Sequence, residues 1–368
     1  MMVCCLSKLI KIKKPKNDVL RPNSKKNSLK TIALALTLLA SASCVQAKTK
    51  AEQIKELKDK SVFLAKAKQF KDALQLSEQA LKLDGKDATI YFMRAHIKEQ
   101  QKDPIAALKE LNKAIELNPK YAEAYLLRAK AFYFLGEMDE GQNNTKQAQS
   151  DLEMALKLNP RMAGALDYKG VGLASENKLK EALASFNQAI NLEPDNAAFL
   201  DHRAMVLNAL GKRQEATTDL RRAAEIEKDN PQGWLMLSQQ LTDLGQYKEA
   251  ITAINKSIAL KPNRLDHVYK RAALYLNLHR YNEALTDLNA ILKVSAADDD
   301  AIKMRGDTYL GLKDFPRALK DYNQAIKLAG DQASHYQARS QLHRLMGNDA
   351  LAKLDENKAS KLRGVKSK

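Results

Sequence analysis

The chain has 368 residues, with 61 Lys and Arg against 44 Asp and Glu and a formal net charge of +17. Only 14 Gly, 9 Pro and 6% aromatic residues are present, and such a composition suits helices and argues against a sheet protein. All three cysteines (Cys4, Cys5, Cys44) lie in the first 47 residues, which excludes disulfides and thiolate metal centres from the remainder.

Residues 1–47 hold nine Lys/Arg and one acid, Asp18, a balance of +8 that leaves +9 for the other 321 residues. A Lys-rich stretch to residue 30 is followed by the apolar run TIALALTLLASAS, then CVQA, and charge returns at Lys48. Basic, apolar, then small residues is the order of a secretory signal, with Val45-Gln46-Ala47 as its cleavage site. Thr31 to Ala47 is uncharged for 17 positions, shorter than the roughly 20 apolar residues a membrane span needs. The expected location is therefore periplasmic or secreted. An uncleaved anchor, or lipidation at Cys44 after Ser41-Ala42-Ser43, are the alternatives. Residues 48–53 read as a short linker and 367–368 as a tail.

Beyond the leader the sequence repeats. In PQGWLMLSQQLTDLGQYKEAITAINKSIALKP, residues 231–262, Trp234 is followed at helical spacing by Leu237, Ser238 and Leu241. Gly245 breaks that face, a second runs through Ala250, Ile254 and Ser257, and Pro262 stops it. Steps of 34 residues from Trp234 reach Leu200, Leu166, Val268, Ile302 and Tyr336; a step of 41 reaches Tyr125, and steps of 34 again reach Tyr91 and Leu57. Nine units follow: 54–87, 88–121, 122–162, 163–196, 197–230, 231–264, 265–298, 299–332 and 333–366.

Small residues fall in phase with this frame. Four places after each anchor stand Ser61, Ala95, Ala129, Gly170, Ala204, Ser238, Ala272, Gly306 and Ser340. The second helix opens with Ala73, Ala107, Ala148, Ala182, Ala216, Ala250, Ala284, Ala318 and Ala352. Helices approach closely only where neither carries bulk, so these sites set the contact within a unit. The seven extra residues of the third unit fall in GEMDEGQNNT, expected to be a loop between its paired helices. A site apolar in the inner seven units is Ser77 in the first and Glu356 in the last, read as the polar outer faces of terminal repeats.

The pattern W-x2-L-small-x2-L…A-x3-I…P, recurring from about residue 51 to 366, resembles the tetratricopeptide (TPR) unit. The resemblance implies an all-α, right-handed α-solenoid of about nine helix–turn–helix repeats whose first helices line a concave binding groove.

No phosphate loop, strand pattern or catalytic constellation is evident, and no enzyme activity, cofactor or metal is expected. His96, His202, His267, His279, His335 and His343 are scattered, none at ligand spacing from acids. Asp298-Asp299-Asp300 lacks the order of a calcium loop and reads as capping of a first helix. Arg94, Arg128, Arg203, Arg271, Arg305 and Arg339, with Lys169 in phase, read as packed stems with local ion pairs.

The groove positions carry seven bases and nine acids. That near-neutral balance argues against nucleic acid, which needs a concentrated basic track. Apolar side chains dominate instead: Phe92, Met93, Leu126, Leu127, Tyr133, Phe134 and Tyr168 in units two to four, and Leu235, Met236, Tyr269, Leu276, Met304 and Leu310 in units six to eight. Such residues suit adaptable protein contacts. The Lys/Asn clamp of carboxylate-binding TPR domains is absent, since Asp59, Met93 and Leu127 occupy its positions. The expected function is a non-catalytic scaffold that captures a protein or peptide segment during assembly of an envelope, secretion or surface-polymer complex. A membrane-peripheral scaffold using outward lysines on anionic lipid, a self-assembling array and an enzyme with an unrecognised site are the rivals.

Overall fold

The computed structural model describes residues 48–138 and 142–366. The leader 1–47 with Ala47 and Cys44, part of the unit-three insertion and the tail 367–368 lie outside the described residues. Eighteen helices occupy the described residues, in nine consecutive pairs: α1 Lys50–Lys66 with α2 Phe70–Leu83, α3 Ala88–Gln100 with α4 Pro104–Leu117, and α5 Ala122–Met138 with α6 Gln142–Leu158. Next come α7 Ala163–Ser175 with α8 Leu179–Leu192, α9 Ala197–Ala209 with α10 Arg213–Ile226, and α11 Pro231–Asp243 with α12 Tyr247–Leu260. The last three pairs are α13 Leu265–Asn277 with α14 Tyr281–Val294, α15 Asp299–Gly311 with α16 Phe315–Leu328, and α17 Ala333–Leu345 with α18 Asp349–Lys366. They form two compact bodies, one up to Ile90 and one from Tyr91 onward.

The first body holds α1 and α2. Thr49 and Glu52 form a reciprocal capping box at the start of α1, so residues 50–53, read as linker, are the first turn of a helix. Ser61 donates to the Ala73 carbonyl at 2.7 Å, and Ala73 and Ala80 are fully buried. Ser77 is also fully buried, its hydroxyl turned to the Leu74 carbonyl. It is no polar outer face, which corrects the sequence reading; the second helix of a first repeat points its small-residue side inward. Glu356, at the matching site of α18, does meet solvent and pairs with Arg344.

In the second body, each helix from α4 to α18 packs on its neighbours in the chain. First helices also touch the first helix two along, as α5–α7, α7–α9, α13–α15 and α15–α17. The α-solenoid follows from the small-residue contacts. Ala107, Ala148, Ala182, Ala216, Ala250, Ala284 and Ala318 have no exposed surface. Where the facing residue is serine, its hydroxyl reaches the partner helix: Ser238 donates to Ala250 O at 2.9 Å and Ser340 to Ala352 O at 3.0 Å. Where it is glycine, the second helix carries a ring. A Cβ on Gly170 would lie 2.7 Å from Phe186, and one on Gly306 2.7 Å from Tyr322.

Arginine supplies a second lock. Arg128, Arg203, Arg271, Arg305 and Arg339 each grip an aspartate of their own repeat's second helix in bidentate fashion, at 2.6–2.9 Å. Their Nη1 atoms donate to an asparagine on the second helix of the preceding repeat at 2.7–3.1 Å. One guanidinium thus pins three helices, with a geometry lysine cannot reproduce. Asp and Asn stand 16 residues after and before the arginine; only Arg128 finds its aspartate, Asp151, at 23, because of the insertion. In α3 the lock is partial, Arg94 reaching Glu110 through Nη2 at 2.8 Å while its Nε is buried without a partner. It is missing in α7, where Lys169 and Ser185 hold the two positions, and in α11, where Leu237 and Ala253 do so by apolar contact.

The described residues of the insertion are helical, where the sequence suggested a loop. First helices from α7 to α17 have 13 residues and second helices from α8 to α16 have 14, whereas α5 and α6 have 17 each. The extra residues lengthen both helices by about a turn, with helix-forming residues flanking Gly136.

Gly170→Ala should destabilise by about 1–3 kcal/mol through overpacking, and Phe186→Leu in the same chain should restore part of the loss, read by thermal melting. Asp287→Ala, which strands Arg271, should cost about 2–3 kcal/mol, a loss visible in the same assay.

Candidate partner-binding groove

The first helices of the second body meet side by side, and polar contacts between them show which positions form the shared wall. His202 on α9 bonds Asp167 on α7 through Nδ1 at 2.9 and 3.0 Å. Lys270 on α13 donates to Gln239 on α11, Asn208 on α9 pairs with Gln240 on α11, and Lys130 on α5 lies 4.9 Å above the Tyr168 ring on α7. Each contact joins residues at recurring positions on successive first helices.

The apolar residues foreseen for this wall divide. Leu127, Tyr133, Phe134 and Tyr168 come together around one hollow of about 280 Å³, closed by Ala131, Ala107 and Pro104 and rimmed by Glu99, Lys102 and Lys130. Tyr133 and Tyr168 stack with centroids 6.3 Å apart, and Phe134 is 41% exposed. The other nine do not join them. Phe92 packs on Tyr121 and the Ala95–Leu111 cluster, and Leu126 supports the cluster around Ala129 and Leu152. Leu235, Met236 and Leu276 rest against the Trp234 cluster, Tyr269 and Met304 against Val268 and Ala301, and Leu310 against Tyr322. Met93 is half-buried. Stacked first helices leave little room between them, so residues on their shared flank are drawn into packing.

The hollow owes its depth to small residues opposite it. The Tyr133 hydroxyl lies where a Cβ on Gly172 would stand, 2.3 Å away, so glycine there admits the ring. That hydroxyl is buried with no hydrogen-bond partner, and burial with nearby Glu176 pushes it up to about 12. On the far side of Tyr133 a second hollow of about 200 Å³ lies between α6 and α7, beside Lys169 and Glu176.

Several groove residues were not anticipated. Met205 on α9 is 63% exposed and shares its helical position with Lys130, Gln239 and Asp307; its place in the 34-residue frame was the available signal. His202 and Asp167, and likewise His335 and Asp299, are sequence-distant but adjacent once the helices stack. His335 is fully buried with Nε2 2.8 Å from Asp299, and with Asp300 these residues offer three ligand atoms within 4.8 Å of one another. A cation there would meet the N-terminus of α15, whose free N–H groups repel positive charge. The cluster is explained by hydrogen bonding: Asp298 caps the Ala301 N–H at 2.8 Å and Asp299 holds His335.

Asp201 stands apart. Its Oδ1 is buried without a partner, and burial raises its carboxyl to about 6, while the neighbouring His202 opposes the shift. His202 itself is raised by its bond to Asp167. Among the described residues no helix is long and apolar enough to cross a membrane.

Family models described as "TPR repeat" and "Tetratricopeptide repeat" match residues 106–136, 231–264 and 269–333. The chain is similar to a 58 kDa phosphoprotein of Plasmodium berghei, 35% identical over 86 residues, or 23% of this chain and 20% of that protein. It is also similar to human tetratricopeptide repeat protein 33, 32% identical over 88 residues, 24% of this chain and 34% of that one. The chain therefore spans between a fifth and about a third of these relatives. In fold it resembles the C-terminal part of a TPR repeat-containing protein from Cytophaga hutchinsonii, with a TM-score of 0.55 at 16% identity over 67% of this chain and 98% of that one.

Ionising Asp201 disfavours the folded state, so its penalty accrues as pH rises from the ordinary carboxylate range to about 6 and is complete above it. Asp201→Asn should accordingly raise the melting temperature at pH 7.5 and change it much less at pH 4. Together, the repeating helix pairs and the three matching models show that the chain is built of tetratricopeptide repeats.

Proposed function

We propose that the protein is a non-catalytic scaffold that captures a segment of another protein along the wall of its first helices. The observation that carries this is the hollow of Leu127, Tyr133, Phe134 and Tyr168. Three consecutive first helices, α3, α5 and α7, contribute to it, and it leaves aromatic surface open to solvent. A concave, mostly apolar site with a few polar groups on its rim is the form protein and ligand contacts take. Tyr and Phe there supply large contact area at low entropic cost, which is what makes interface hot spots.

Segment capture fits the rest of the wall. Successive first helices present alternating apolar and hydrogen-bonding side chains at intervals an extended chain or a helix can follow. The groove positions carry seven bases and nine acids, a near-neutral balance that favours a protein partner over nucleic acid. The setting we propose, assembly of an envelope, secretion or surface-polymer complex after export, rests on the leader composition alone.

Phe134→Asp places a charge in the hollow without removing a core residue, since Phe134 is 41% exposed and belongs to no buried cluster. Capture of the partner in a pull-down from the native cell extract should fall at least tenfold, with helical content and melting temperature unchanged. Undiminished capture would reject the hollow as the binding site. Met236→Asp is a poorer probe, because Met236 packs on the Trp234 cluster and its loss would also destabilise the fold.

A further inference from the structure

The charges of the wall are not spread evenly. In the second body the groove positions carry eight acids against four bases, whereas residues 48–368 as a whole are +9. The lysines that balance the full set, Lys55, Lys58 and Lys66, belong to the first body. The excess is concentrated from α7 to α15, as Asp167, Asp201, Asp243, Asp266, Asp300 and Asp307 against Lys270 and Lys303.

Some of these acids are satisfied within the protein. Asp307 pairs with Lys303 at 2.7 Å, Asp266 with Arg264 at 2.8 Å, and Asp167 with His202. Asp201 is not, for one of its oxygens is buried and receives no donor. Asp300 is exposed beside Tyr269, whose hydroxyl is pushed above its ordinary range by burial and by the surrounding Asp300, Asp298, Asp307 and Asp299. Carboxylates gathered there, with Asp300 open to solvent, attract a cationic side chain. By contrast, the hollow near α5 has Lys102 and Lys130 against the single acid Glu99 on its rim, a net positive balance that disfavours one.

We infer that the segment held in the groove is cationic and asymmetric, with a bulky apolar side chain in the Tyr133–Phe134–Tyr168 hollow and Lys or Arg side chains only to the α9–α15 side of it. This inference rests on the groove reading above. Packed helices lie about 8–10 Å apart and an extended chain advances about 3.3 Å per residue, so one repeat corresponds to about three residues. Asp201 on α9 is then reached about four residues from the apolar anchor, and Asp300 on α15 about twelve. A Lys or Arg at the first position meets the half-buried, unpaired carboxylate of Asp201, and one at the second meets the exposed Asp300.

The test uses the full chain and labelled 16-residue peptides of Ser and Ala. Each carries Phe near one end and Lys four and twelve residues further on, in both chain directions, with matching Gln and Glu versions. In fluorescence anisotropy one of the two Lys peptides should bind, its Glu counterpart at least tenfold more weakly, and raised salt should weaken the Lys peptide. Asp201→Asn and Asp300→Asn should each weaken it several-fold, Asp201→Asn doing so although that variant melts higher. The inference is overturned if neither Lys peptide binds, if Glu peptides bind as well, or if both Asn variants bind unchanged. Equal binding of the Gln peptide, abolished by Phe134→Asp, would leave the groove standing and remove the charge preference. Indifference to Phe134→Asp as well would remove the groove.

Discussion

Everything in this protein depends on how closely the two helices of a repeat can approach. At nine successive sites the second helix presents alanine, and the first presents alanine, glycine or serine against it. Removing side-chain bulk at the crossing lets backbones come near enough for serine hydroxyls to reach the carbonyls opposite. The surrounding positions adjust in compensation: where glycine replaces alanine, Phe186 or Tyr322 fills the space that Leu or Ile fills elsewhere. This is interior packing maintained by pairwise volume rather than by identity.

Close pairing alone would leave successive repeats free to slide. The arginine lock addresses that, because one guanidinium joins both helices of its repeat and the second helix of the one before. Aspartates such as Asp287 are almost wholly buried, so the charge is fully compensated only in one arrangement. In the Trp234 repeat, Leu237 and Ala253 do the same work by apolar contact. At Lys169 neither device is present, and there the second hollow opens and Tyr133 leans across Gly172. The candidate site thus sits where the regular locking of the array is interrupted, beside the pair of lengthened helices. The inner wall is a consequence of the same stacking. Second helices absorb the locking contacts, which releases part of each first helix to face outward.

Much of this was legible in the sequence. The alanine phase located every helix crossing, and the 41-residue step located the insertion, because both are one-dimensional signals with a single physical cause. The form of the insertion was not legible: GEMDEGQNNT read as a loop between paired helices, but four residues on one side and three on the other fit within helices that simply run longer. The arginine periodicity was visible while its partners went unread, although Asp and Asn at plus and minus 16 were present in the same frame. Groove membership was legible only to the level of a helix face. Tyr133 and Phe134 remain open while Met236 and Tyr269 are drawn into packing, and that difference depends on a neighbour's volume, which spacing does not encode. The meetings of His202 with Asp167 and of His335 with Asp299 likewise arise only from stacking.

The direct measurement is site-specific photocrosslinking in the cell of origin. A photoreactive side chain would be placed in turn at exposed first-helix positions 134 and 205 and at exposed second-helix positions 226 and 328. Adducts to one protein from 134 and 205, with none from 226 and 328, are the predicted result. Adducts formed from the second helices and absent from the first would contradict an account in which those helices serve the scaffold and the others face the partner.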